Sequence, residues 1–184
     1  MEFLRKAIVF ILFILFIGLL ALLIKVYLDV RVAKGYIEFV TDSSNSLIVR
    51  VDQINLKLNS LQYDEDQDLL EELKGELEES KILLDQIKTN RKNYKIPYKG
   101  EGVDEKFDEY LWEGEALIAA FDAVVTSIDN LEEESVFGGK IDEYVSHSDA
   151  LQTKSSELEV ALTEYVQDYA KFDFKRVIDG IKFI

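Results

Sequence analysis

The chain has 184 residues, 36 acids against 21 bases, a net charge of −15, one Pro and no Cys. That balance disfavours nucleic-acid binding, whose affinity rests on neutralising phosphates with Lys and Arg. Without Cys, disulfides and thiolate metal sites are excluded, so an exported domain would stand on packing alone.

A six-residue stub precedes the most apolar stretch, Ala7 to Ile24, which reads AIVFILFILFIGLLALLI. As a helix it spans roughly 27 Å. Flanking Phe3, Leu4, Val26, Tyr27 and Leu28 extend it to the roughly 30 Å of a hydrocarbon core. Residues 7–28 are therefore predicted to form a transmembrane anchor. A cleaved secretory signal has a shorter apolar region and a small-x-small site. Here the nearest candidate, Ala33, has Arg31 at the −3 position. Arg5 and Lys6 precede the span and Lys25, Arg31 and Lys34 follow it, so the positive-inside balance is close to a tie. The short stub favours an N-inside, single-pass orientation with the acidic remainder extracytoplasmic. No Asn-x-Ser/Thr sequon occurs, which favours a prokaryotic cell envelope over a glycosylated ectodomain.

Beyond the anchor, apolar or small residues recur at alternating three- and four-residue steps. The first seam runs Val26, Val30, Ala33, Ile37, Val40, Ser44, Leu47, Val51, Ile54, Leu58, Leu61 and never changes phase. It predicts one helix leaving the bilayer and continuing over 29–61. Its weak point is the run Thr41 to Ser46, residues that favour caps and turns. Gln62 to Asp68 reads as a polar turn whose acids suit the next helix N-terminus. The second helix, about 66–92, carries Leu70, Leu73, Leu77, Ser80, Leu84 and Ile87. On its outer face Lys81 follows Glu78, and Lys88 follows Asp85, at the spacing of local ion pairs.

Asn93 to Gly102 holds the only Pro and two Gly, the clearest loop in the chain. The third helix, about 103–134, carries Val103, Phe107, Tyr110, Gly114, Leu117, Phe121, Val124, Ile128 and Leu131. A second stripe of Leu111, Ile118 and Val125 predicts burial on two sides. The sequence from Glu132 to Gly138-Gly139 is read as its closing turn. The fourth helix, about 140–172, carries Ile141, Tyr144, Ser148, Leu151, Ser155, Leu158, Leu162, Tyr165, Tyr169 and Phe172. Residues 173–184 form a basic amphipathic tail. Seams of period 3.5 joined by short turns predict an all-α fold: a transmembrane helix continuing into an up-down-up-down four-helix bundle, residues 29–172. The competing arrangement is a parallel homo-oligomer assembled through the first helix.

In that topology the charges sort. The far tip receives Asp64, Glu65, Asp66, Asp68, Glu132, Glu133 and Glu134, an electrostatic docking surface for a basic partner. The near end receives Tyr94, Lys95, Tyr98 and Lys99 in the loop, and Lys175, Arg176, Lys182 and Phe183 in the tail. Aromatic rings beside bases suit a lipid headgroup layer.

Chemistry is hard to find. His147 is the only histidine, which excludes the paired Glu-x-x-His units of a di-iron bundle. Asp64, Asp66 and Asp68 imitate the start of a calcium loop, but Leu69 and Gly75 occupy the positions that need Gly and Glu. Trp112 is read as packing at a helix boundary, with a partner surface as the alternative. No phosphate-binding, dinucleotide or metalloprotease motif occurs, and no cofactor is implied. The expectation is a membrane-anchored, non-enzymatic interaction or scaffold protein. Its partners would be the bilayer and another envelope or membrane protein. The alternative is an extracytoplasmic ligand-binding sensor or accessory subunit signalling through a membrane partner, with Ser80, Gly114 and Ser155 lining its pocket.

Overall fold

The computed structural model describes residues 2–60, 67–130 and 133–168. They form four α-helices: α1 (Glu2–Ser60), α2 (Gln67–Arg91), α3 (Glu101–Asp129) and α4 (Glu134–Asp168), with no strand among the described residues. The all-α expectation holds. Among the described helices, α1 alone is long and apolar enough to cross a membrane.

The 59-residue α1 is close to 90 Å long and has two regimes. Its first part buries nothing: Ile8 through Leu20 stand exposed. Its second part turns one stripe inward, with Ala33, Tyr36, Val40, Leu47, Val51 and Ile54 all buried. The helix runs unbroken through Thr41–Ser46. Ser44 Oγ donates to the Thr41 carbonyl at 3.0 Å and Ser46 Oγ to the Asp42 carbonyl at 2.7 Å. The buried Tyr110 hydroxyl adds a bond to the Ser44 carbonyl at 2.9 Å. These short side chains thus satisfy themselves against the helix and leave room for a tyrosine from α3.

Ion pairs record how neighbours run. Between α1 and α2, Arg50 meets Glu76 and Glu79, and Lys57 meets Glu72 and Glu76. Between α2 and α3, Lys74 meets Asp129, Lys81 meets Asp122 and Lys88 meets Glu115, each pair one heptad from the last. Between α3 and α4, Lys106 meets Glu157, Glu109 meets Lys154 and Glu113 meets His147. In every case numbers rise on one helix as they fall on its partner. Lys81 and Lys88 therefore reach across to α3 instead of pairing with Glu78 and Asp85. A cross-helix carboxylate held on a packed helix costs less ordering than two loose side chains on one exposed face.

The third helix is the hub. Val103, Phe107, Tyr110, Leu117, Phe121 and Val124 form one buried stripe, and Leu111, Ile118 and Val125 the second. It packs on α4 most extensively, then on α2. At its middle, leucines from all three other helices converge on Gly114. A Cβ there would lie 2.8 Å from Leu47 Cδ2, 3.9 Å from Leu84 Cδ1 and 4.0 Å from Leu151 Cδ1.

One boundary differs from the sequence reading. The third helix stops at Asp129, not near 134, and α4 begins at Glu134, so Gly138-Gly139 lie inside a helix instead of closing a turn. Two Gly in a helix cost about 1 kcal/mol each relative to Ala. Phe137 and Ile141, one turn apart on either side of the pair, pack against the core and hold the segment helical.

Candidate functional site

A groove lies where α2 ends and α3 begins. It encloses roughly 570 Å³ between Lys88, Arg91 and Lys92 on one side and Asp108, Trp112 and Glu115 on the other. Tyr36 and Asp104 form its floor, and Tyr94 and Ile96 close its lower end.

The floor is a polar lock joining three helices. The Tyr36 hydroxyl donates to Asp104 Oδ1 at 2.5 Å. Arg91 Nη2 donates to the same oxygen at 2.8 Å and to Asp108 Oδ2 at 2.8 Å. The Arg91 guanidinium also lies over the Phe107 ring, 5.8 Å from its centroid. Burial, reinforced by Asp104, drives the Tyr36 hydroxyl pKa far above its ordinary value. It therefore remains a proton donor at any physiological pH. Asp104 Oδ1 is shared between Tyr36 and Arg91, which ties the floor into a fixed shape.

The rim is what can recognise something. Trp112 is 67 % exposed, a correction to its expected packing at a helix boundary. The reason is its phase: Leu111 and Glu113 on either side are buried, so position 112 points outward between the α2 and α4 contacts. The pairs Tyr36–Asp104 and Leu47–Gly114 set a common offset between α1 and α3. By that offset Trp112 is level with about Asn45, roughly 25 Å along α1 from Leu28. An exposed Trp beside Arg and Tyr is the composition of an interface hot spot.

The tip acids are only partly described. Asp68 and Glu133 are exposed, and Glu134 opens α4. Asp64, Glu65, Asp66 and Glu132 lie outside the described residues. At the other end Tyr94, Lys95, Tyr98 and Lys99 share one exposed turn between α2 and α3, while Lys175, Arg176, Lys182 and Phe183 lie outside the described residues. Tyr94 stacks on Phe39 of α1, ring centroids 4.3 Å apart.

No protein family, characterised protein or solved structure matches this chain.

His147 sits at the edge of α4 with Nδ1 2.5 Å from Glu113 Oε1. Glu113 is buried, so the imidazole is what keeps its carboxylate partnered. Among the described residues no three His, Cys, Asp or Glu side chains gather as a metal-ligating group. The Ser/Gly layer that would line a sensor pocket has Leu47 pressed onto Gly114, and Ser80, Gly114 and Ser155 do not line the groove between α2 and α3. Sequence reasoning missed Tyr36, Arg91 and Asp104 as a unit. Their separations along the chain carry no local period, and only a known register brings them together.

Proposed function

We propose that this chain is a single-pass membrane protein, N-terminus inside, whose extracytoplasmic part is an up-down-up-down four-helix bundle acting as a non-enzymatic interaction or scaffolding module. The observation that carries the reading is the double character of α1. One uninterrupted helix is apolar and unburied over its first part and supplies the core stripe over its second. An exposed run of Ile, Leu and Phe is stable in lipid and a liability in water. The opposed numbering of the interhelical ion pairs supports the bundle, because antiparallel neighbours joined by short turns are its signature.

Two surfaces suit a protein partner. The acids Asp64, Glu65, Asp66, Asp68, Glu132, Glu133 and Glu134 would offer a basic partner an electrostatic landing site. The groove offers balanced charge and an aromatic anchor in Trp112, a residue about 25 Å clear of the apolar stretch. The first helix's inward stripe packs within the bundle, so self-association through α1 would use its outer face, where Val49 and Leu56 are exposed.

The anchored reading is tested by alkaline extraction of membranes and by protease added from outside. The full chain is expected in the extracted pellet, with a C-terminal tag digested from the exterior. A soluble product, or a protected tag, overturns it. The docking reading is tested by crosslinking in native membranes. A crosslinked complex is expected to weaken with salt and with neutralisation of the tip acids, and to be lost in Trp112→Ala if the groove is the anchor. A complex indifferent to all three overturns it.

A further inference from the structure

We propose that the turn between α2 and α3 is a second membrane contact, in which Ile96 and Tyr98 enter the headgroup layer of an anionic leaflet while Lys95 and Lys99 bind its phosphates. It rests on the anchored reading of α1.

The first helix serves as a ruler. Tyr36 meets Asp104, Ser44 meets Tyr110 and Leu47 meets Gly114, so α1 and α3 climb together at a constant offset. The first residue of α3, Glu101, is then level with about Lys34, roughly 9 Å along the helix from Leu28. The pairing of Lys106 with Glu157 and Glu109 with Lys154 carries on to Tyr98 with Tyr165, so the part of the turn about Tyr98 lies on the membrane side of Glu101. The headgroup layer adds about 5–7 Å beyond the hydrocarbon on each face. Long side chains that carry a polar end on an apolar stem bridge what remains. The Tyr165 hydroxyl reaches the Tyr98 carbonyl at 3.1 Å, so the end of α4 descends beside the turn. Tyr94 takes no part, since its stack on Phe39 holds it higher, roughly 17 Å from Leu28.

The chemistry of the turn fits that location. Residues 92–100 read KNYKIPYKG, with three lysines and no acid, in a chain of net charge −15. Ile96 is 49 % exposed and Tyr98 55 % exposed, side by side with Lys95 and Lys99. Aromatic and basic residues together are the signature of a bilayer interface.

The turn is also held in a fixed shape. Pro97 is buried, and the Gly100 amide donates to the Pro97 carbonyl at 2.9 Å. Lys99 occupies the third position of that turn with φ 56°, the one non-Gly residue at positive φ among the described residues. A lysine tolerates that backbone poorly, and glycine is the usual occupant. A Cβ at Gly100 would lie 2.7 Å from Pro97 Cγ, so a side chain there would force the turn to shift. The Lys99 ammonium lies over the Tyr98 ring, 5.7 Å from its centroid, so the strained residue sets a base beside an exposed aromatic.

The test uses the full chain in lipid nanodiscs, one copy per disc. The chain has no Cys, so a fluorophore on Ile96→Cys reports the turn and one on Leu15→Cys reports the anchor. Quenchers are carried on lipid headgroups for the first and on acyl chains for the second. In discs containing about one third phosphatidylserine, quenching at position 96 is expected. It should fall severalfold in discs of phosphatidylcholine alone and in the Lys95→Gln/Lys99→Gln variant, since each lysine near an anionic surface is worth roughly fivefold in binding. Lys99→Gly removes the charge while relaxing the turn, and should behave as the Lys99→Gln single variant. Quenching at position 15 with none at position 96 overturns the surface contact and leaves the anchor intact. No quenching at either overturns both. Protection at position 96 only when two copies share a disc assigns the turn to a protein contact and overturns the proposal.

Discussion

At the scale of single residues, the molecule relies on a few buried polar pairs. Replacing Tyr36 with Phe removes a partly buried hydrogen bond to Asp104 and should cost about 1–3 kcal/mol, read from urea unfolding of the full chain in detergent. His147→Ala would leave the buried Glu113 carboxylate without that partner and should cost about 1–3 kcal/mol in the same assay. Glu76 is a partly buried contributor to acid sensitivity. Burial pushes its pKa up, but hydrogen bonds from Lys57 and Arg50 outweigh that and leave it below its ordinary value. A depressed carboxylate contributes stability that is present above its unfolded pKa and lost as pH falls through the folded one. Thermal stability should therefore decline from about pH 4.5 downward, and Glu76→Gln should flatten that decline. A curve that keeps its slope in Glu76→Gln would move the effect to other carboxylates. The single Trp gives a direct reporter. Trp112 fluorescence should be quenched by aqueous iodide in the reconstituted protein, and a blue-shifted, protected emission would contradict its exposure.

At the scale of elements, the Gly138-Gly139 pair separates two readings of the same letters. Inside α4, with no positive φ and nothing within 4 Å of an added methyl, Gly138→Ala/Gly139→Ala should raise stability by about 1–2 kcal/mol. In a turn the same change would lower it. Gly114→Ala should behave oppositely. Its methyl meets Leu47, so it should cost about 1–3 kcal/mol, and Leu47→Val in the same chain should recover part of that. The seams themselves were legible. Val40, Leu47, Val51 and Ile54, and both stripes of α3, could be read because burial follows helical phase. The Gly pair could not, because its state is decided by Phe137 and Ile141 finding the core. Nor could the partners of Lys81 and Lys88, since local spacing offers a neighbour on the same helix whether or not a better one faces it. Trp112 misled for a related reason: aromatic residues are usually buried, and one position of phase reverses the outcome.

At the scale of the whole molecule, the acids and bases expected at opposite ends are described only in part: Asp68 and Glu133 flank the starts of α2 and α4, and Lys92, Lys95 and Lys99 lie between α2 and α3. The candidate groove was not legible at all. Tyr36, Arg91 and Asp104 come from three helices, and no window of sequence contains them together. Their meeting depends on a register that only three-dimensional packing fixes.

Because α1 has no joint between its apolar first part and its core-forming part, a domain anchored in the way proposed above cannot swivel on its anchor. From Leu28 to Ser60 the helix extends about 48 Å, and a tilt of roughly 20°, ordinary for a spanning helix, swings its outer end sideways by about 16 Å. A thinner bilayer leans such a lever further. Local lipid thickness would then decide how wide an arc the acidic cap sweeps and which neighbours fall within its reach.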